Sequence, residues 1–427
     1  MAVTPTLVGV QHLLPLPIAW ISIEDEGQVW ESATCFYNGA SDGGRPAPGQ
    51  RQQPYLSSLL VGLPTGPFHD RFRRASRCVV HVVTEQHGGH VASLLKSPSE
   101  GQPLDPALKT SAFSEVEGLN SLRISDVPVA FSCSTIREFQ APGDGVTGFF
   151  LNIEAIFISG SVIIDGKVDP QRLRTLASLN FEGSSLLRAI EEYTMYFPTK
   201  KDSEGLWIIP ECIPAEPLVK NSDESKDVVY RCPVLPDLPY NPFKALVTPR
   251  PIGWISTTGP DGDNLSPYSF FGYISPRLVY FSVGGGHVEQ GEKDALRDAK
   301  ASGAFCVNLV PWRLRMAMSA SAASASRKTD EFELPVSPES PGSIDAMPEK
   351  GRCEKINAPC VTNAGLRLEC ELMEVVQLSD GQNVVVGHIV HTVGAVDGPV
   401  ATRCGYMNYF RIGDEHILDP QAQMISE

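Results

Sequence analysis

The stretch PRPIGWISTTGPDGDNLSPYSFF, Pro249 to Phe271, decides how this chain is read. Ile252, Trp254 and Ser256 alternate with Gly253 and Ile255, a mixture of β-branched, aromatic and small residues suited to a half-buried strand. Gly259, Pro260, Asp261 and Gly262 form a turn signal, so the stretch predicts a hairpin. Its second arm breaks at Ser266-Pro267, because proline has no N–H to give to a ladder. The residues that follow, Tyr268, Ser269, Phe270 and Phe271, bring two hydroxyls and three aromatic rings into four positions. A loop with free amides, hydroxyls and aromatic edges can hold a flat heterocycle with a polar rim.

Working outward, the stretch has a second copy. Pro15 to Ser22 reads PLPIAWIS against PRPIGWIS at Pro249 to Ser256, six of eight positions agreeing at an offset of 234. The offset carries Ser32 onto Ser266, Phe36 onto Phe270 and Tyr37 onto Phe271. Further on, His69 to Arg73 resembles Lys293 to Arg297, and Val80-His81-Val82 resembles Val307-Asn308-Leu309. Tyr193 to Phe197 (YTMYF) resembles Tyr406 to Phe410 (YMNYF). The chain therefore reads as a tandem duplication: a first copy over 1–197, a linker or wrapping arm over 198–238, and a second copy over 239–427. The arm is rich in Lys, acids and Pro, and its Trp207-Ile208-Ile209 predicts that it is docked.

Composition narrows the function classes. A length of 427 residues gives room for two or three domains with full cores. A net charge of −15 argues against nucleic acid or an anionic membrane surface as partner, so an anionic cofactor would need a local basic pocket. Ten cysteines without a C-x-x-C pair or zinc spacing read as reduced buried thiols of a cytoplasmic protein, with no metal site expected. The opening MAVTPTLVGVQHLLPLP lacks a basic n-region, so no signal peptide is expected. Phe149 to Ile164 is too short and polar to span a membrane and reads as strands. Asp294 to Lys300 predicts a short helix, Trp312 to Ser326 a helical Ala/Ser-rich segment, Ser337 to Lys350 an exposed loop, and Gly365–Val376 and Asn383–Val396 the closing strands.

RPIGWIST, NLSPYSFF, KDALR from Lys293 and FCVNL from Phe305, in that order between about Pro239 and Arg411, resemble the flavin reductase-like family of FMN-binding split barrels. The resemblance implies a mainly β fold with short helices (α+β), here two split barrels in tandem forming an intramolecular pseudo-dimer. It implies FMN lined by Asn264, Ser266, Pro267, Tyr268, Ser269 and Phe270, with Ser282, Val283 and Gly284 leading to the phosphate end near Lys293 and Asp294. Arg250 is a further phosphate candidate, because a guanidinium pairs well with oxyanions. The first copy departs where it matters: Leu16 replaces Arg250, Ala33-Thr34 replace Pro267-Tyr268, His69 replaces Lys293, and Ser41 to Pro54 is inserted. It is expected to have lost the flavin site, leaving one FMN per chain in the second barrel.

Each residue also has an ordinary reading. Tyr268, Phe270 and Phe271 suit a core, Lys293 and Asp294 a solvated helix start, and Asp330-Glu331-Phe332 an exposed acidic loop as well as a family element near the substrate. Gly284-Gly285-Gly286 leads into HVEQGEKD, not a helix, so a Rossmann loop is unsupported. His388 and His391, three apart on a predicted strand, face opposite sides and are poor joint metal ligands. Neither a Ser-His-Asp set, nor H-E-x-x-H, nor a P-loop is present, and no side chain is assigned as catalytic. That suits hydride transfer, which needs stacked rings more than a strong acid or base. The resemblance implies an FMN-dependent oxidoreductase, first an NAD(P)H:flavin reductase using NADH or NADPH and supplying a flavin-using partner enzyme. Alternatives are an enzyme that retains FMN and reduces an organic, secondary-metabolite-like substrate, or a non-catalytic flavin-binding scaffold. With both barrels in one chain a monomer suffices, and further homo-oligomers stay open.

Overall fold

The computed structural model describes residues 16–40, 58–108 (76 excepted), 122–178 (125, 141, 142 and 144 excepted), 186–188, 191–215 (197 excepted), 227–231 and 242–418 (379–381, 397, 405–407 and 413–416 excepted). The start of the chain, the Ser41–Pro54 insertion, much of the arm, and Phe197, Tyr406 and Met407 lie outside these. Among the described residues no helix is long and apolar enough to cross a membrane.

Six strands build the first half: β1 (Leu16–Asp25), β2 (Gln28–Ala40), β3 (Ser58–Pro64), β4 (Cys78–Val82), β5 (Val129–Gln140) and β6 (Val146–Ile158). They pair in the order β1-β4-β5-β6-β3-β2, and β2 returns to β1, so the sheet closes into a barrel. Closure leaves no edge among these six strands to recruit another chain. The interior is packed with Ile21, Phe36, Val61, Val80, Phe131 and Phe149, all essentially inaccessible.

The second half repeats the plan with β7 (Gly253–Gly259), β8 (Gly262–Tyr268), β9 (Phe271–Ser275), β10 (Leu278–Val283), β11 (Ala304–Leu309), β12 (Arg367–Gln377) and β13 (Asn383–Val393). Their order, β8-β7-β11-β12-β13-β10-β9, is that of the first barrel with the counterpart of β2 cut into β8 and β9. The cut falls at Ser269-Phe270, just after Pro267-Tyr268, where the first half has the uninterrupted Ala33-Thr34-Cys35. The predicted hairpin is thus present, but the break expected at Ser266-Pro267 falls later: both residues stay in the ladder opposite Ile255 and Trp254, and the strand runs to Tyr268.

Duplication extends to detail that no short motif could carry. Trp20 pairs with Ala33 and Trp254 with Pro267, in one register. β5 carries bulges at Ser132/Cys133 and Thr135/Arg137, and β12 carries them at Glu369/Cys370 and Leu372/Glu374, each position displaced by 237. Bulges redirect a strand and are specific features of a fold. His81 Nδ1–H donates to Trp20 O at 2.9 Å, while its Nε2 accepts the Ile124 N–H at 3.0 Å. Asn308 makes the same two bonds, Nδ2–H to Trp254 O and Oδ1 from the Val361 N–H, both 2.8 Å.

The halves pack about a pseudo-two-fold axis. Arg137 and Glu374, at matching positions of β5 and β12, form an ion pair with each other, as residues near such an axis do. Tyr37 meets Tyr280 edge-on at 5.6 Å; Gly272 makes room for the Tyr37 ring, and Gly62 lets the backbones approach. A Cβ on Gly62 would stand 2.4 Å from the Ile274 carbonyl oxygen. Each half also lends residues to the other. Leu16 joins the second core, while Phe243, Ala245, Leu246 and Val247 sit in the first.

The arm is docked, as Trp207 suggested. Its N–H donates to Pro335 O at 2.9 Å, its ring is 7% exposed, and Val228–Arg231 adds a strand to β6. Two expectations change. The helix Arg315–Ala320 stops well short of Ser326, and Ser321 to Ala325 form turns. The chain ends of the halves are exchanged: Glu191–Met195 pairs with Asn408–Ile412, and Ile417–Leu418 pairs with Leu186–Arg188. Residues around Tyr193 therefore lie beside those around Tyr409 and occupy the place that 417–418 takes in the other half.

Candidate functional site

The break between β8 and β9 opens a cleft of about 320 Å³, within the range of small-molecule sites. One wall is β8 itself, with Asn264, Ser266, Pro267 and Tyr268. A second is Gly286, His287, Val288, Lys293 and Asp294, from the glycine loop and the start of helix α3 (Asp294–Ser302; α1 is Pro67–Arg74 and α2 Gly88–Leu95, and two four-residue helices are left unlabelled). The third is the turn Ser321 to Ala325 that follows α4 (Arg315–Ala320), with Glu331 beyond it. Trp254 fixes this turn from beneath, donating its indole N–H to Ser321 Oγ at 2.8 Å.

Electrostatics make the cleft receptive to an anion. Asp294 is ion-paired to Arg327 and to Arg297 (3.2 Å), which neutralises it, and His287 Nε2 lies 3.2 Å from its other oxygen. Arg327 also ties the loop by donating to Gln290 O at 2.7 Å and Glu292 O at 2.9 Å. Lys293 has no ion pair among the described residues, and burial pulls its ammonium below the ordinary lysine range. A partly desolvated cation without a counter-ion favours an anionic ligand. Burial pushes the Glu331 carboxyl up to about 8, with Asp294 and Asp330 adding to the shift. Burial likewise raises the Tyr268 phenol, which stays neutral.

Six of the residues expected from sequence are brought together here: Asn264, Ser266, Pro267, Tyr268, Lys293 and Asp294. The other six are elsewhere. Arg250 is 3% exposed, with Nη1 donating to Lys244 O and, at 2.8 Å, to Val247 O. It anchors the segment that enters the first barrel and does not line the cleft, because its guanidinium is engaged by interior carbonyls. Val283 is core, and Gly284 is pressed against the Gln382 side chain. Ser282 is buried, its N–H bonded to Phe270 O at 2.8 Å, while Ser269 and Phe270 form the half-buried bend. Sequence reasoning missed His287 and the Ser321–Ala325 turn. The run of serine and alanine was the available signal, misread as helix.

In the first half the main chain at Pro98-Ser99 bridges the matching walls. Ser32, counterpart of Ser266, donates its hydroxyl to Pro98 O at 2.9 Å, and the Phe68 N–H at the start of α1 donates to Ser99 O at 2.9 Å. His69, matched to Lys293 by sequence, is instead the third residue of α1, whose N-cap is Gly66, whereas Lys293 is the N-cap of α3; it is buried and bonded to Thr147 Oγ1 at 2.9 Å. The main chain itself fills the space that the second half leaves open.

Residues 246–410 match the family described as flavin reductase like domain. The second half of this chain is a flavin reductase-like domain. An uncharacterised protein of Deinococcus radiodurans is 30% identical over 158 residues, 35% of this chain and 64% of that one. Another, of Aquifex aeolicus, is 29% identical over 154 residues, 35% of this chain and 72% of that one. The chain thus spans under two thirds of the Deinococcus protein. Among solved structures, the 2-nitrobenzoate 2-nitroreductase NbaA of Pseudomonas fluorescens is similar at 24% identity over 40% of this chain and 83% of that one, with a TM-score of 0.33. Nitrilotriacetate monooxygenase component B of Bacillus cereus is similar at 23% identity over 40% and 88%, with a TM-score of 0.35. In the flavin reductase-like domain, the cleft lies along β8 and the start of α3, the two segments that carry the family motifs.

Proposed function

We propose that this chain is an FMN-dependent oxidoreductase that passes a hydride from NADH or NADPH through one FMN held by its second barrel. The observation that carries this is the cleft along β8 and the start of α3 in the second half, where the first half instead has the Pro98-Ser99 main chain bonded across the matching segments. The residues fit the cofactor. Lys293 offers a cation for the phosphate, Ser324 offers a hydroxyl, and Pro267, Tyr268 and Ala322 give apolar surface to a ring system. Neither acid in the cleft opposes a phosphate, since Asp294 is paired and Glu331 holds its proton at neutral pH.

When bound, FMN would supply the chemistry of accepting and releasing a hydride. The chain's residues would orient the ring along β8, exclude water with Val288 and Tyr268, and neutralise the phosphate through Lys293. The first barrel serves as the permanent partner that a single split barrel lacks, bracing β10 through Tyr37 and Tyr280.

The test is the absorbance spectrum of freshly purified protein, followed by NADH and NADPH oxidation with and without added flavin. Bound flavin near one per chain, with turnover that needs free flavin, supports reductase activity. Slow bleaching of retained flavin and fast reduction of an organic compound would instead support an enzyme working on that compound. Absence of any flavin binding would overturn the proposal.

A further inference from the structure

Glu331 is the acid in the cleft that the account so far leaves without a task. Other carboxylates around it are matched to cations: Asp294 to Arg327 and Arg297, Asp298 to Arg297, Asp330 to Lys350, and Asp263 to Lys350 and Arg352. Glu331 has no ion pair among the described residues. Its contact is the Leu265 N–H, which donates to Oε2 at 3.2 Å. That amide belongs to the strand lining the cleft. In the first half the matching residue, Glu31, is paired instead with Gln102 of an added strand. The second half has thus exchanged a ladder partner for an acidic side chain that faces the cavity.

The surroundings hold a proton on that side chain. From α3 the cleft receives Lys293 and the paired Asp294, from the glycine loop His287, and from β8 the neutral Tyr268 and Asn264. From its own turn comes Asp330, whose charge is met by Lys350 at 2.6 Å. Partial burial without a cationic partner favours the neutral carboxylic acid. A neutral acid inside a redox cleft can give a proton where charge develops.

We propose that Glu331 is the catalytic acid of this cleft, supplying the proton that accompanies hydride delivery. The proposal rests on the flavin-site reading above. In the step, the C–H bond of a dihydronicotinamide breaks and its hydride, carrying two electrons, goes to the flavin. The nicotinamide is oxidised and the flavin reduced. The O–H bond of Glu331 breaks, its proton neutralises the negative charge that the hydride brought, and the carboxylate left behind takes a new proton from solvent at the cleft mouth.

Three measurements on the full chain test this. The first is the infrared spectrum of the protein at pH 6–9, without nicotinamide. A protonated-carboxyl band that titrates near pH 8 and disappears in Glu331→Gln is expected, and its absence from the wild type at pH 6.5 would overturn the proposal. The second is FMN binding to Glu331→Gln, in which the amide oxygen can still accept the Leu265 N–H. Affinity within about threefold of wild type is expected; failure of both proteins to bind FMN would sink the flavin-site reading itself, and the acid with it. The third is single-turnover flavin reduction. Loss of roughly 10²-fold in rate with KM unchanged is expected in Glu331→Gln. The wild-type rate should fall as pH rises through about 8, with that limb missing in the variant and restored in Glu331→Asp. Equal rates and equal pH profiles in wild type and Glu331→Gln would refute the assignment.

Discussion

Replacing Lys293 with methionine keeps the aliphatic stem and removes the cleft's unpaired cation. Two unit charges 4 Å apart at an effective dielectric near 20 attract by about 4 kcal/mol, but freeing a buried ammonium and a phosphate from water offsets part of that. Hydrogen bonds to charged groups contribute about 1.5–3 kcal/mol net. At 1.4 kcal/mol per tenfold, FMN should bind roughly 10- to 150-fold more weakly to Lys293→Met. Riboflavin, which has the ring and ribityl chain without phosphate, provides the internal control. Its affinity should change by less than about threefold, because the ring would lie along β8, whose fold does not depend on Lys293. Titration of each flavin by fluorescence quenching, at low and high salt, measures both numbers. Equal weakening of the two ligands would mean that Lys293 supports the fold and not the phosphate. Unchanged FMN affinity would place the phosphate elsewhere.

Other expectations concern the duplication. His81→Asn should cost little, since Asn308 makes the same pair of bonds in the other half, whereas His81→Leu should destabilise by about 1–3 kcal/mol by orphaning the Ile124 N–H. Urea melts of both variants decide it. Burial pushes His81 down to about 3 and His87 down to about 4, so the folded state excludes protons that the unfolded chain takes up below about pH 6.5. Stability should therefore fall as pH drops through 6.5 toward these values, by about 1.4 kcal/mol per pH unit for each histidine, and the slope should be shallower in His81→Asn. Gly62→Ala should cost about 1–3 kcal/mol, because its Cβ would collide with a backbone oxygen of the other half, and hydrogen exchange should quicken at β9. Phe243→Ala should remove about 3–5 kcal/mol and loosen the first barrel's β4 and β5, although Phe243 belongs to the second repeat.

What could be read from residues alone was local or repeated. Proline at 267 signalled a cut two residues before it occurs, and the 234-residue offset announced two barrels, since both signals lie within a few adjacent positions. Arg250 was misplaced because the chain just before it turns the Lys244 and Val247 carbonyls, six and three residues back, onto its guanidinium, which the motif does not reveal. Ser321 to Ala325 looked helical by composition, yet Trp254, 67 residues earlier, captures Ser321 and lines the turn up with the cleft. Glu331 gave no sign of its raised pKa, which arises from burial first and then from Asp294, 37 residues earlier. Exchange of the terminal strands was equally hidden, because strand pairing between halves follows geometry that similar motifs cannot distinguish.

The most direct measurement is a calorimetric titration of flavin-free protein with FMN, repeated on Lys293→Met and on a variant altered only in the first half, such as His69→Gln. One tight site per chain is expected, weakened by the first substitution and untouched by the second. Two equivalent sites, or a single site lost with His69, would contradict the division of labour between the open cleft and its closed twin.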